Sequence, residues 1–138
     1  MSQPKTYDLV VLGGGPGGYT AAFRAADLGL SVCLVEQARR LGGVCLKVGC
    51  IPSKTLLHAA AIIEEAAGAD EYGIGFAEPD IDLLALKAKK EAIISQLTGG
   101  LDSLCKARKI DRLTGRGSFS STNELSVATA DQEFTIAF

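Results

Sequence analysis

The sequence lacks several features that mark common functional classes. Its 138 residues contain no tryptophan, one histidine and only 6% aromatic residues, so no platform for stacking nucleic-acid bases is visible. The formal net charge is −2, and the basic residues are scattered, which argues against an electrostatic footprint for nucleic acid or an anionic membrane. We therefore expect no nucleic-acid partner.

A signal peptide and long apolar runs are also missing. Residues 1–7 are short and polar, and the longest apolar stretches are broken by glycine or charge, which predicts that none crosses a bilayer. We expect a cytoplasmic chain with no membrane partner. Apolar residues make up 47% of the sequence, which suffices for a core, and the length fits one domain.

The hydrophobic pattern predicts an α/β fold. Residues 7–12 and 31–36 are apolar and β-branched, as in strands buried on both faces of a parallel sheet. Residues 19–28 between them favour a helix that ends at Gly29, which completes a βαβ unit. The remaining predicted elements are helices over 53–68 and 82–109, the second capped by Asp82, and short strands over 111–117, 125–129 and 133–138.

A glycine motif lies at the first turn of this unit. Gly13, Gly15 and Gly18 have the G-x-G-x-x-G spacing after a predicted strand, and Glu36 ends the next strand. Such glycines let a pyrophosphate approach the helix N-terminus, while the carboxylate holds ribose hydroxyls. A turn that binds nothing is the alternative, but its glycines would cost backbone entropy without a gain. The motif alone does not separate FAD from NAD.

Two cysteines with unusual surroundings follow the βαβ unit. On a regular helix Cys45 and Cys50 would be rotated by roughly 140° from each other, but the neighbouring glycines and Pro52 permit a non-ideal turn that brings the sulfurs together. Cys50 would then lie at a helix N-terminus, which stabilises a thiolate. Lys54 adds positive charge one turn further on.

Three kinds of site compete for this pair. A zinc site lacks ligands, because Cys33 and Cys105 have no partner at ligand spacing, and we assign no metal site. A structural disulfide is less suited to a reducing compartment. A redox-active dithiol is favoured.

Residues 42–54 match the pattern Gly-Gly-x-Cys-x-x-x-Gly-Cys-x-Pro-x-Lys. This pattern resembles the flavin disulfide reductases, the class I pyridine nucleotide-disulfide oxidoreductases, and the choices at Leu46, Ile51 and Ser53 are similar to those of dihydrolipoamide dehydrogenases. The resemblance covers essentially the whole chain. It implies a Rossmann-type FAD-binding domain, with a parallel sheet, helices and a β-meander. Residues 1–138 would be the N-terminal, incomplete part of that domain, with the NAD-binding and dimerisation domains absent.

The resemblance also implies individual roles. Cys45 would attack the substrate disulfide, and Cys50 would face the flavin, with Lys54 beside the flavin's reactive part. Glu36 would bind the adenosine ribose, and Gly117 would approach the adenine through its backbone. The implied cofactor-binding set is Gly13, Gly15, Gly18, Glu36, Gly43, Lys54 and Gly117.

The implied activity is FAD-dependent oxidation of dihydrolipoamide by NAD. The implied partners are the lipoyl-bearing acyltransferase of 2-oxoacid dehydrogenase complexes and a second copy of the chain. We expect the 138 residues alone to be inactive. The alternatives are another disulfide reductase, of the glutathione or mercuric type, and a non-catalytic nucleotide-binding fragment. His58 is predicted to be a partly buried structural histidine, and Lys47 departs from the family's usual asparagine.

Overall fold

The computed structural model describes residues 5–138, and these divide into two units. One unit comprises residues 5–43 and 98–138, and the other comprises Val44–Leu97. The elements in chain order are β1 (Leu9–Leu12), α1 (Pro16–Asp27), β2 (Val32–Glu36), α2 (Gly43–Lys47), α3 (Cys50–Ala67), a 3₁₀ helix (Ala69–Tyr72), α4 (Leu83–Ala107), β3 (Asp111–Thr114), β4 (Arg116–Ser121), β5 (Glu124–Ala128) and β6 (Glu133–Ala137).

A three-stranded parallel sheet in the order β1-β2-β3 confirms the predicted α/β class. Leu9 pairs with Val32, and Cys33 pairs with Asp111. The central strand β2 is buried along its first four residues, as its apolar sequence predicts. Helix α1 begins at Pro16, three residues earlier than predicted, because proline suits the first turn of a helix.

A second sheet holds the antiparallel meander β4-β5-β6. The prediction of one strand over 111–117 was wrong, since β3 and β4 belong to different sheets. The change occurs at Gly115, whose N–H donates to the carbonyl of Glu36 at 3.0 Å. A Cβ at Gly115 would lie 2.7 Å from the carbonyl oxygen of Ala128, so the chain can pass between the sheets only without a side chain.

The core of this unit joins residues from both sheets. Its buried members are Tyr7, Cys33, Val35, Leu125, Val127 and Ile136. Burying each large apolar side chain contributes roughly 1.5–3 kcal/mol. The core therefore holds the ends of β2 and β4 in fixed positions.

The other unit consists of helices and loops. Helix α3 begins at Cys50, three residues before the predicted start, and contains no buried residue. The short helix α2 was not predicted. Asp82 caps α4 as predicted, since its Oδ1 accepts hydrogen bonds from the N–H groups of Leu84 at 2.8 Å and Ala85 at 3.0 Å.

One helical segment in the described part of the chain reaches the length and composition of a membrane span. This segment, Gly43–Ala67, has a mean hydropathy of 1.2, and 6% of it is buried. The sequence analysis did not predict that any segment would reach this length and composition. A single such helix is weak evidence, because helices of soluble proteins pass the same test, and it does not indicate a membrane protein.

Candidate functional site

The glycine turn between β1 and α1 is held together by contacts that exclude side chains. Gly13 has a φ of +104° and donates its N–H to the carbonyl of Val35 at 2.8 Å. A Cβ at Gly18 would lie 1.8 Å from the carbonyl oxygen of Gly13. Gly18 therefore permits the close packing of the helix against the turn, as the motif predicts.

Gly15 differs from these two glycines. It forms the N-cap of α1 without a side-chain cap, and a Cβ there would meet only the Cα of Gly43, at 3.8 Å. Gly43 has a φ of +60°, and a Cβ added to it would lie only 2.8 Å from the Cα of Gly15. The protein's packing thus requires glycine at 43 and leaves space at 15.

The carboxylate of Glu36 is fixed by two backbone donors. Its Oε2 accepts from the N–H of Gly14 at 2.7 Å, and its Oε1 accepts from the N–H of Ala38 at 2.8 Å. Each carboxylate oxygen retains a second lone pair for another donor. The structure thus brings Glu36 and the glycine turn together, as the sequence spacing predicts.

A cavity of about 270 Å³ opens beside this carboxylate. It is lined by Leu12, Gly13, Val35, Glu36, Gln37, Gly115, Arg116 and Gly117. The sequence analysis named Gly13, Glu36 and Gly117 and missed the others. Arg116 stands between two glycines that bracket the turn into β4, and Gln37 follows Glu36 directly, so both positions carried a signal in the sequence.

Cys45 and Cys50 lie on either side of a break between α2 and α3. The N–H groups of Val48 and Gly49 both donate to the carbonyl of Val44, at 2.9 and 2.7 Å, which ends α2. Gly49 has φ −112° and ψ −102° and precedes α3. Cys50 is therefore the first residue of α3, at the predicted helix N-terminus.

The two thiols are free and contact each other. The hydrogen bond that the Cys45 thiol donates to the Cys50 sulfur is the largest cause that raises the pKa of Cys45, followed by desolvation, while the charge of Lys54 acts in the opposite direction. Cys45 is partly buried and Cys50 is exposed. The helix break thus gives the pair the proximity that a regular helix would deny.

Lys54 lies on α3, beside an open groove of about 500 Å³ with an apolar floor. His58 lines the same groove and is exposed, so the prediction of a partly buried histidine was wrong. The alanines and isoleucines of residues 53–68 predict a buried helix face, but α3 buries none of its residues.

The remaining cysteines are buried and unreactive by comparison. Burial raises the pKa of the Cys33 thiol to about 11 and also raises the pKa of Cys105. Within residues 5–138, no group of three or more His, Cys, Asp or Glu side chains is placed to hold a metal ion.

Comparison with known proteins identifies the family. Residues 7–138 match the model of the family described as pyridine nucleotide-disulphide oxidoreductase. Over 138 residues the chain is 48% identical to the dihydrolipoyl dehydrogenase of Vibrio cholerae, a match that covers 100% of this chain and 29% of that protein. The enzyme of the same name from Haemophilus influenzae is 53% identical over 125 residues, which cover 91% of this chain and 26% of the relative.

A relative with another name is also similar. The leghemoglobin reductase of Vigna unguiculata is 44% identical over 130 residues, which cover 94% of this chain and 25% of the relative. The chain thus spans less than a third of the length of these relatives. With a parallel sheet, helices and a glycine turn of the Rossmann type, it belongs to the pyridine nucleotide-disulphide oxidoreductase family.

Proposed function

We propose that this chain is the N-terminal part of the FAD-binding domain of a dihydrolipoyl dehydrogenase, and that its Cys45–Cys50 pair carries electrons from dihydrolipoamide to FAD. The observation that carries the proposal is the contact between the two thiols across the break at Gly49. The identity of 48% with a dihydrolipoyl dehydrogenase supports the choice of substrate.

The residues of the first unit fit a dinucleotide. The uncapped N-terminus of α1 offers N–H groups to a pyrophosphate, and the open space at Gly15 lets it approach the backbone. Glu36 would accept hydrogen bonds from ribose hydroxyls, and Gly117 would present its backbone to the adenine. Bound FAD supplies an acceptor for an electron pair, which NAD receives last in the full-length enzyme.

The cysteine pair would perform a thiol–disulfide exchange. When the pair is in its oxidised, disulfide form, a substrate thiolate attacks the sulfur of Cys45, the Cys45–Cys50 bond breaks, and Cys50 leaves as a thiolate. The second substrate thiolate then attacks the substrate sulfur of the mixed disulfide and releases Cys45. The substrate closes to a disulfide, and the protein pair gains two electrons while the substrate loses two protons to nearby bases or solvent.

Two features of α3 bring positive charge to the thiol pair. Cys50 is its first residue, where the unpaired N–H groups give a partial positive charge. Lys54 lies one turn further into the helix, and its ammonium group already acts to lower the pKa of Cys45. We propose that Lys54 also lies near the reactive part of the flavin.

An aliphatic substrate fits the surface around Cys45. Val44 and Val48, one turn apart on either side of this thiol, are 72% and 73% exposed. Apolar side chains beside a partly buried thiol would favour an alkyl dithiol such as a lipoyl arm over a highly polar one. This surface supports a lipoyl-bearing acyltransferase as partner, and we propose a cytoplasmic enzyme that acts as a homodimer.

Leghemoglobin reductase and other disulfide reductases, of the glutathione or mercuric type, are the second candidate. The 44% identity with a leghemoglobin reductase favours keeping it. The test is the rate at which the full-length protein reduces NAD with dihydrolipoamide, compared with its rates of NADH or NADPH oxidation by leghemoglobin, glutathione disulfide and mercuric ion. We expect dihydrolipoamide to be the preferred substrate and Cys45→Ser to abolish its oxidation. Faster turnover of another substrate would contradict the assignment.

The 138-residue chain requires a separate test. We propose that it binds FAD weakly and does not turn over, because its one histidine, His58, lies on the exposed side of α3. Flavin fluorescence should be quenched on titration, whereas no NAD reduction should follow. A chain that takes up no FAD would be a non-functional piece, and one that turns over would contain the complete site.

A further inference from the structure

Arg116 is a cation without a partner at the edge of the nucleotide cavity. It lines the cavity and is exposed, and within residues 5–138 its side chain forms no hydrogen bond, ion pair or ring contact. Several other basic side chains of the same unit are engaged: Lys5 pairs with Asp111, Arg108 with Asp27 and Arg112 with Asp102. The guanidinium of Arg116 is therefore available to a ligand.

The backbone on both sides of Arg116 is fixed by packing. A Cβ at Gly115 would lie 2.7 Å from the carbonyl oxygen of Ala128, and one at Gly117 would lie 2.6 Å from Cδ1 of Leu12. Arg116 itself pairs with Ala128 in the antiparallel register of β4 and β5. Both neighbours of Arg116 are thus closely packed glycines, and the Arg116 side chain starts at the rim of the cavity.

The side chain can reach the cavity from this origin. Successive residues of a strand point to opposite faces of the sheet. Because Gly117 faces the core, the side chain of Arg116 lies on the other face. Its flexible stem of three methylene groups can then fold over the rim, as long basic side chains do over apolar surfaces. The walls below are flat, since Gly13, Gly115 and Gly117 have no side chains and Leu12 and Val35 are apolar.

The charges of the cavity favour a neutral ligand group over a phosphate. Glu36, on the wall, carries a carboxylate held by two backbone N–H groups. This negative charge would repel a phosphate and offsets the positive charge of Arg116. A planar, neutral base between an apolar wall and a guanidinium avoids that repulsion, and guanidinium groups stack on such faces.

We propose that Arg116 is a specificity-determining residue that stacks its guanidinium on the adenine base of the bound dinucleotide and closes the cavity over it. The proposal rests on the proposed function, because it requires that the cavity beside Glu36 receive the adenosine end of FAD. It adds a side-chain contact to a subsite otherwise formed by backbone and apolar groups.

The test compares two probes, adenosine and ADP, by isothermal titration calorimetry on the 138-residue chain. Arg116→Ala should weaken binding of both probes by the same factor, about five- to tenfold, the size expected for a stacked cation. Arg116→Lys, which keeps the charge and loses the plane, should lose most of the same affinity. Arg24→Ala is the matched control, since Arg24 is an exposed arginine of α1 away from the cavity.

Each other result is decisive. A loss confined to ADP would make Arg116 a phosphate contact and overturn the stacking. Adenosine binding restored by Arg116→Lys would show that the charge suffices without the guanidinium plane, which also overturns the stacking. Unchanged affinities for both probes would make it a solvated cation. Those results leave the nucleotide site intact, whereas a wild-type chain that binds neither probe would overturn the site and the proposal together. Circular dichroism and urea midpoints equal to wild type exclude misfolding as the cause of any loss.

Discussion

The two units of this chain position their functional residues by different physical means. In the first, packing fixes the site: Val35, Leu125 and Val127 are fully buried, and an added Cβ would clash at Gly14, Gly18, Gly115 or Gly117. In the second, α3 buries no residue, and the cysteines are placed by a local break of the helix. The shape of the nucleotide site is thus set by close packing that excludes side chains. The thiol pair is instead positioned by a few backbone hydrogen bonds at the helix break.

The largest expected effect is a difference between the two units in the free energy of unfolding lost when a leucine is truncated. Leu125→Ala removes a side chain with 0% exposure and should lower the free energy of unfolding by about 2–5 kcal/mol. Leu57→Ala, at a position 68% exposed on α3, should change it by less than about 0.5 kcal/mol. Urea unfolding followed by circular dichroism measures both. Equal losses would contradict the contrast between the units.

A second, smaller difference in stability is expected between two neighbouring glycines at the start of α1. Gly18→Ala places a Cβ 1.8 Å from a carbonyl oxygen, so we expect a loss of about 3 kcal/mol. Gly17→Ala meets no atom within 4 Å and should stabilise α1 by about 0.5–1 kcal/mol. The same urea titration applies. A tolerated Gly18→Ala would mean that the turn is not set by packing.

The thiol pair should respond to a change that leaves stability unaltered. Because the Cys50 hydrogen bond is the largest cause that raises the pKa of Cys45, Cys50→Ala should lower that pKa. The rate of alkylation of Cys45 by iodoacetamide should then rise at a lower pH. Cys105→Ala is the control, since it leaves the pair intact. An unshifted rate profile would show that the two thiols do not interact.

The smallest expected effect is an alkaline loss of stability confined to the packed unit. Burial raises the pKa of Cys33 to about 11 and that of Tyr7 to about 12. A group whose pKa is raised on folding stabilises the protein below its unfolded value and loses that contribution as the pH rises toward the folded value. The urea midpoint should therefore fall between about pH 9 and 11, and Cys33→Ala should flatten that fall.

The sequence predicted the parts of both sites that depend on local spacing. The distance from Gly13 to Glu36 follows from the length of a βαβ unit, and Cys50 at a helix N-terminus follows from Pro52. The start of β4 was missed, because the change of sheet at Gly115 depends on the carbonyl of Ala128, which is distant in sequence. The exposure of His58 was missed because the alanine pattern of α3 predicts a buried face, and no such burial occurs. The roles of Cys45, Lys54 and Gly117 stay predictions.

The shape of the nucleotide cavity depends on the number of residues between β3 and β4, where Gly115 lies. The strand leaves one sheet and enters the other across this single residue, and side chains alternate between the faces of β4 from there on. Inserting one residue after Gly115 would exchange the faces on which Arg116 and Gly117 lie, and a side chain would then meet Leu12 and Val35 where hydrogen now does. The cavity would be lost although every lining residue remained in the sequence. Register at one point, more than the identity of the lining side chains, determines whether a ligand can enter.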